Sequence, residues 1–257
     1  MKTITILGLE KIGMVQSGDD LATSISEALT AEKIKIMDGD VIVVSQKVIS
    51  KAEGLLVDIS TIKPSTKAKL LSKRTRKDSR LIELILRDSP QLIRADRKAL
   101  IVRRKNGSIC LNAGVDKSNV KGRNIYSRLP ADADDTADEL RLGLEELSGC
   151  RLGVIIGDTY SRPFRVGQAE FAIGVSGIEP VIDYRGLKDL YGYKLRFKSV
   201  ALADEIAAAA ELVIGQGAER IPVAIIRGLT RLNPSDKHGL SKKLLLGRRI
   251  DLFKDMI

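Results

Sequence analysis

Hydrophobic and polar positions alternate along the chain in short blocks that predict interleaved strands and helices. Continuous apolar runs predict strands at 3–7, 41–44, 152–156 and 222–226. Apolar residues at helical spacing predict helices after Asp20 and at 65–75, 80–87, 136–147 and 202–214. The predicted strands and helices do not alternate as regularly as they do in a doubly wound sheet. They therefore predict an α/β or α+β fold with a mixed sheet.

Local signals place several element ends. Asp20 precedes the first helical pattern and is a preferred N-cap residue, and Gly149 and Gly215 follow two others as C-terminal stops. Asn106-Gly107 separates two apolar stretches, 100–105 and 108–112, and predicts a hairpin in which both turn residues have positive φ.

Composition narrows the class of protein. The chain has 257 residues, of which 44% are hydrophobic and 30% charged, which fits a globular protein with a sizeable core and excludes a mainly disordered or collagen-like chain. No apolar run approaches the roughly 20 residues that cross a bilayer, so we expect no membrane partner. Cys110 and Cys150 lack a paired-motif spacing, which favours a reducing cytoplasm.

His238 is the single histidine, so we do not expect a histidine-rich metal centre. A metal ion would then be held mainly by oxygen, which points to Mg²⁺, Mn²⁺ or Ca²⁺.

The net charge of +10 is unevenly distributed. Residues 61–105 hold fifteen basic and four acidic side chains, and residues 227–257 hold eight and three. Such a basic stretch is usually a solvated helix face, and the functional alternative is that it binds an anionic partner. Nucleic acid is a weak candidate for that partner, because Trp is absent and only 4% of residues are aromatic.

Four polar or Gly-rich segments could carry chemistry, and each has an ordinary turn as its alternative. Residues 46–54 follow a buried strand and carry two lysines four apart, which can meet phosphates. Residues 112–119 supply several oxygen ligands. Residues 157–165 place Asp158 and Thr159 after a buried strand, followed by two arginines that can neutralise phosphoryl charge. Residues 183–189 either orient a substrate or form a turn with an internal Asp–Arg pair.

Three common nucleotide or metal motifs are absent: the P-loop, the dinucleotide G-x-G-x-x-G fingerprint and H-E-x-x-H. A nucleoside triphosphate would therefore bind at a site of another kind.

The order of several short motifs resembles the coenzyme F-420 γ-glutamyl ligases, which are GTP-dependent amide ligases. The resemblance spans roughly residues 3–228 and rests on these segments: 18–21, 39–41, 48–54, 112–116, 118–119, 129–130, 158–159, 162–165, 172–174, 183–186 and 204–205. Phe164 stands where the family pattern usually has Trp, and a Leu-Pro pair common in the family near Ile12-Gly13 is missing.

The resemblance implies a two-lobed catalytic region over residues 1–228, an intertwined homodimer, and a basic C-terminal extension over 229–257 whose role is open. It implies the addition of L-glutamate to a lactyl-phospho deazaflavin precursor, with a γ-linkage after the first residue. GTP would be the co-substrate, with two Mg²⁺ or Mn²⁺ ions and K⁺ as a further candidate.

The same resemblance implies roles for particular residues. The implied metal ligands are Asp116, Asp158, Thr159 and Gln216. The implied GTP contacts are Ile12, Gly13, Met14, Val15, Gln46, Lys47, Lys51 and Asn119. Lys51, Arg162 and Arg165 would assist phosphoryl transfer. A related NTP-dependent ligase or kinase acting on another carboxylate is the first alternative, and a basic nucleic-acid-binding module is the second.

Overall fold

The computed structural model describes residues 1–247 of the chain. The helices are α1 (Leu21–Glu32), α2 (Gln46–Ala52), α3 (Thr66–Thr75), α4 (Ser79–Arg87), α5 (Ala133–Ser148) and α6 (Leu202–Ile214). The strands are β1 (Thr5–Gly8), β2 (Val41–Ser45), β3 (Leu56–Asp58), β4 (Gln91–Ala95), β5 (Leu100–Arg103), β6 (Ile109–Leu111), β7 (Ile125–Ser127), β8 (Gly153–Ser161), β9 (Gln168–Ile178), β10 (Ile182–Asp183), β11 (Ser199–Val200), β12 (Val223–Arg227) and β13 (Pro234–Ser235). Among these residues, no helix combines the length and apolarity that spanning a bilayer requires.

The chain divides into two compact units. The first comprises residues 1–14, 20–46 and 132–244, and the second comprises residues 15–19 and 47–131 and resumes at residue 245. Arg248 and Arg249 of the basic C-terminal segment lie outside the described residues.

The first unit is built on a six-stranded sheet in the order β1-β12-β2-β8-β9-β13. Strands β2 and β8 pair in parallel and the other neighbours pair antiparallel, which confirms the predicted mixed sheet. Helix α6 packs its buried alanines, Ala203, Ala207 and Ala210, against the sheet core. Because these side chains are small, the helix axis can lie close to the strands.

The predicted helix ends of this unit are confirmed. The carboxylate of Asp20 accepts hydrogen bonds from the amides of Ala22 and Thr23, at 2.9 and 3.3 Å. Gly149 ends α5 with φ of 70° and donates its amide to the Glu145 carbonyl. A residue with a Cβ would be strained at that φ, which is why glycine is favoured there.

Two neighbouring strands differ from the sequence prediction. Strand β8 continues through Asp158 and Thr159 to Ser161, so these residues lie within the strand and not beyond its end. Strand β9, the partner of β8 over this length, was not predicted, because its apolar residues are interrupted by Gly174 and Gly177 and do not alternate cleanly. The register between them shifts at Ile156/Gly157.

The second unit contains a three-stranded sheet, β4-β5-β6, a two-stranded sheet, β3-β7, and helices α3 and α4. Its core includes Ile82, Ile85, Leu100 and Val102, all fully buried. The predicted hairpin between β5 and β6 is confirmed, but only one of its two turn residues, Gly107, has positive φ (94°). The prediction for the other was wrong because the loop spans more than two residues, and longer hairpin loops do not need two left-handed positions.

Candidate functional site

Helix α2 carries the two lysines of residues 46–54, which form a helix and not the alternative turn. Lys47 and Lys51 are four residues apart and therefore share one face of the helix. Ser50 donates its hydroxyl to the Arg128 carbonyl at 2.6 Å and anchors the helix within the second unit. Burial and the neighbouring positive charge of Lys47 lower the pKa of Lys51 from its ordinary value. The two ammonium groups thus form a cationic pair that attracts anionic groups.

Asp116 lies beside this pair in the second unit. Its Oδ2 is 2.6 Å from the Nζ of Lys47, and that ammonium also donates to the Ser127 hydroxyl at 2.9 Å. The Ser118 hydroxyl and the Lys117 amide donate to the same carboxylate. Burial raises the pKa of Asp116, but these hydrogen bonds and the Lys47 charge outweigh it and lower the pKa to about 2. Asp116 is therefore an anion at neutral pH, held in a fixed orientation.

The polar loop around Asp116 adopts an unusual backbone. Asn112, Ala113 and Gly114 have positive φ of 51°, 58° and 71°, and Asn119 has φ of 52°. Consecutive left-handed residues are costly for side chains other than glycine and asparagine. The loop is exposed at Asn119, and the Asp116 backbone pairs with Ser127 at its base. This pairing fixes the carboxylate while leaving the following residues accessible.

A second cluster lies in the first unit, on β8, β9 and α6. Asp158 and Thr159 are consecutive in β8, so their side chains point to opposite faces of the sheet. The Thr159 hydroxyl donates to Oε2 of Glu170 at 2.9 Å, across the β8–β9 pair. Two ligands on opposite faces of a strand are suited to two separate ions rather than to one.

Glu170 and Glu211 are site residues that the sequence predictions missed. Glu170 is only 3% exposed, and burial together with the adjacent carboxyl of Glu211 raises its pKa well above the usual range. Gln216 donates its side-chain amide to Oε1 of Glu211 at 2.6 Å. In the sequence, Glu211 stands in an Ala-rich helical pattern and Glu170 stands beside a glycine-containing apolar stretch. Neither position indicates which residue the glutamate contacts unless the strand register is known.

Arg162 and Arg165 lie in the turn that joins β8 to β9. Arg162 donates to the Val166 carbonyl at 3.3 Å, whereas Arg165 is exposed. Phe164 between them is 82% exposed and has φ of 61°. The turn therefore exposes Arg165 to solvent, whereas Arg162 is half-buried.

The remaining predicted contacts lie at segment ends. Ile12, Gly13 and Met14 belong to the first unit and follow β1, and Val15 begins the second unit. Ile12 is buried, whereas Met14 is 80% exposed. Gln46 is buried as the first residue of α2.

The structure thus brings some of the predicted residues together within each unit. The second unit brings together Lys47, Lys51 and Asp116, and the first brings Thr159 and Gln216 to the two glutamates. Over residues 1–247, no set of three or more His, Cys, Asp or Glu side chains is already arranged to hold a metal ion. The donors present are carboxylate, hydroxyl and amide oxygens, which suit a hard divalent cation.

Comparison with known proteins gives consistent matches. The model of the F420-0:Gamma-glutamyl ligase family matches residues 10–228. The chain is 41% identical to the coenzyme F420:L-glutamate ligase of Methanothermobacter thermautotrophicus, over 98% of this chain and 99% of the relative. It is 46% identical to that of Methanopyrus kandleri over 84% and 83%, and 38% identical to that of Methanocaldococcus jannaschii over 99% and 98%.

Proposed function

This chain belongs to the F420-0:gamma-glutamyl ligase family, and from that premise we propose that it is a GTP-dependent ligase. It joins L-glutamate to the lactyl-phospho deazaflavin precursor of coenzyme F-420, with a γ-linkage after the first residue. The family match over residues 10–228 carries this proposal. The half-buried lysine pair and the anchored Asp116 carboxylate support it, because ammonium groups and a metal ion held by a carboxylate both neutralise phosphate charge.

In the proposed reaction, a carboxylate oxygen of the precursor attacks the γ-phosphorus of GTP. The bond from that phosphorus to the bridging oxygen breaks, and GDP leaves with the electron pair. The amine of glutamate then attacks the acyl carbon, phosphate leaves with its oxygen, and the ammonium proton is released to phosphate or solvent. Reactions of this type depend on positioning and electrostatics, and they need no histidine.

The second unit would hold the triphosphate. Lys47 and Lys51 place two ammonium groups on one face of α2, and phosphate oxygens would stabilise the charged form of Lys51, whose pKa is lowered by burial and by the Lys47 charge. Asn119, in the exposed part of the polar loop, would contact the nucleotide.

Divalent cations, when bound, supply charge neutralisation at phosphate oxygens. Asp116 is the proposed ligand in the second unit, where its low pKa keeps it ionised. In the first unit the proposed ligands are Asp158, Thr159 and Gln216. Arg162 and Arg165 would stabilise the charge on the transferred phosphoryl group.

We also propose that the chain functions as a homodimer. The segment from β10 to β11, residues 182–200, exposes large apolar side chains: Leu190 is 97%, Tyr191 95% and Phe197 91% exposed. Its base is a turn in which Arg185 pairs with Asp183 at 2.6 Å, so the internal-pair interpretation of residues 183–189 fits this structure. Several exposed aromatic and aliphatic groups on one short segment are typical of a protein interface.

The decisive test is product analysis by mass spectrometry after incubation with precursor, L-glutamate, GTP and Mn²⁺. We expect a mass increase of one or more glutamyl residues with one GDP released for each. Asp116→Asn should lower kcat/KM on the order of 10²–10³-fold, the scale of a lost electrostatic contact to the transition state. Asp96→Asn, at a half-buried acidic residue in the β4–β5 turn of the same unit, is the matched control and should leave turnover unchanged.

Other outcomes would redirect the proposal. GDP release that depends on a different carboxylate acceptor would indicate the related ligase. An absence of GTP turnover together with salt-sensitive RNA binding would indicate a nucleic-acid-binding protein. Normal turnover of Asp116→Asn would remove this residue from the active site.

A further inference from the structure

Two carboxyl groups of the first unit, Glu170 and Glu211, have no role in the proposed reaction described above. Glu170 lies on β9 directly opposite Thr159 of β8, and Glu211 lies on α6, beside the carboxyl of Glu170. Neither glutamate forms an ion pair with a Lys or Arg among residues 1–247. Two carboxyl groups side by side in a largely buried position need either a proton or a cation between them.

The sheet is shaped to receive Glu170. A Cβ on Gly157 would lie 2.4 Å from Oε1 of Glu170 and 2.9 Å from its Cγ, so any larger residue would displace this side chain. Gly157 is the diagonal neighbour of Glu170 on the same face and stands next to the register shift in β8–β9. Register irregularities of this kind commonly occur beside functional sites, where they redirect side chains.

The hydrogen bond from Thr159 to Glu170 has a chemical consequence. A neutral hydroxyl binds a cation through an oxygen lone pair, so its proton must go to an acceptor on another side. The 2.9 Å bond to Oε2 of Glu170 provides this acceptor and leaves the Thr159 lone pairs available. Residues that hold ligands in this way contribute substantially to metal affinity.

Glu211 offers a direct donor atom. Its Oε1 accepts a hydrogen bond from Nε2 of Gln216, so the amide oxygen of Gln216 points away from that bond. Its Oε2 is buried, and no amide, hydroxyl, ammonium or guanidinium donor among the described residues reaches it. Without a cation, a proton shared with the neighbouring Glu170 carboxyl offsets the cost of burying this carboxylate, and a divalent cation would take the place of that proton.

We propose that Glu211 is a further ligand of the divalent cation at Thr159 and Gln216, and that Glu170 is a positioning residue which holds the Thr159 hydroxyl for that cation. This inference rests on the proposed function, because the cation is the one that the ligase reaction requires. It adds two residues to the proposed ligand environment of the first unit.

The test measures Mn²⁺ binding directly, by calorimetry and by paramagnetic resonance, without nucleotide or precursor and again with GDP. Glu211→Gln keeps the shape of the side chain and should weaken one Mn²⁺ site at least tenfold. Glu170→Gln should weaken the same site by about 10–100-fold, the range for residues that orient a metal ligand. Glu205→Gln, an exposed change on the same helix, should bind as the wild type does.

A double-mutant cycle separates positioning from a general structural effect. If Glu170 acts through Thr159, Thr159→Val with Glu170→Gln should bind Mn²⁺ no more weakly than Thr159→Val alone, and Thr159→Ser should retain binding. Independent, additive losses would overturn the positioning role. An anomalous-scattering map of the wild-type protein with Mn²⁺ gives a result that does not depend on variant folding, with an ion expected ~2.0–2.6 Å from Oε2 of Glu211.

Wild-type Mn²⁺ affinity in Glu211→Gln, or a map with no ion at Glu211, would refute this ligand assignment even if the protein glutamylates the precursor with GTP. Conversely, the predicted binding losses without any GTP-dependent glutamylation would support the cation site and reject the proposed ligase function. The two failures are therefore distinguishable.

Discussion

The most quantitative prediction concerns Asp134 in the first turn of α5, which is 1% exposed. Its Oδ1 accepts the backbone amides of Val175 and Ser241 at 2.8 and 3.1 Å, and its Oδ2 accepts the Ser241 hydroxyl at 2.8 Å. One carboxylate thus connects α5, strand β9 and the 240–244 turn. Removing it would leave three donors without their acceptor, at least one of them in the core.

The magnitude follows from the number and type of these bonds. A hydrogen bond to a charged group contributes about 1.5–3 kcal/mol, and a buried donor left unpaired costs about 1–3 kcal/mol. Because water can reach the Ser241 side, we expect Asp134→Ala to lower the free energy of unfolding by about 3–5 kcal/mol. For a chain of 257 residues this corresponds to a fall in Tm of about 6–10 °C. Asp134→Asn keeps one acceptor oxygen and should cost about 1–2 kcal/mol.

Thermal and urea unfolding, followed by circular dichroism, would measure the difference. Asp135→Ala is the matched control, because Asp135 is in the same helical turn and its side chain is 66% exposed. It tests the helix dipole, to which an acidic residue contributes about 0.3–1 kcal/mol. Equal losses of stability in Asp134→Ala and Asp135→Ala would refute the argument that the buried hydrogen bonds are responsible.

Two further predictions concern stability. Gly174→Ala would place a Cβ 2.2 Å from the Ala133 carbonyl oxygen at the start of α5, so the backbone must move, and we expect the free energy of unfolding in urea to fall by about 2–4 kcal/mol. Gly13→Ala is the control, because a Cβ there would have nothing within 4 Å, and a comparable loss of stability in both variants would contradict the steric explanation. A hydrogen bond to Asp138 and the charges of Asp135, Asp138 and Asp132 raise the pKa of His238. This stabilisation is complete below the unfolded value of about 6.5 and is lost as pH rises through the folded pKa. The difference in Tm between wild type and His238→Gln should therefore shrink as the pH is raised above about 6.5, and a constant difference would exclude His238 as its source.

The sequence determined most of the local structure because the relevant signals are local. The stop at Gly149 and the cap at Asp20 follow from backbone chemistry within one helical turn, and the apolar runs of β2 and β12 identify strands buried on both faces. Strand β9 gave no such signal, because its polar and glycine positions reflect the neighbours it packs against and not its own periodicity.

The resemblance also placed the candidate residues at the level of segments, and the structure put several of them in contact. Lys47 reaches Asp116 across 69 positions of the chain, a pairing that no spacing rule predicts. Glu170 was missed because its position is defined by Thr159, which lies opposite it on β8, and by the space above Gly157, and neither is apparent from the sequence.

By itself, then, the sequence determined the type of the elements that carry a clear apolar pattern, the mixed α/β class and the ligase family, since periodicity, caps and motif order are all local features of the chain. Only the tertiary structure decided which carboxylates are neutralised by lysine, which lie buried side by side, and which carboxylate oxygen lacks a donor. The physical reason is that solvation and charge depend on distances between segments far apart in sequence, and these distances are fixed only when strands pair and helices pack.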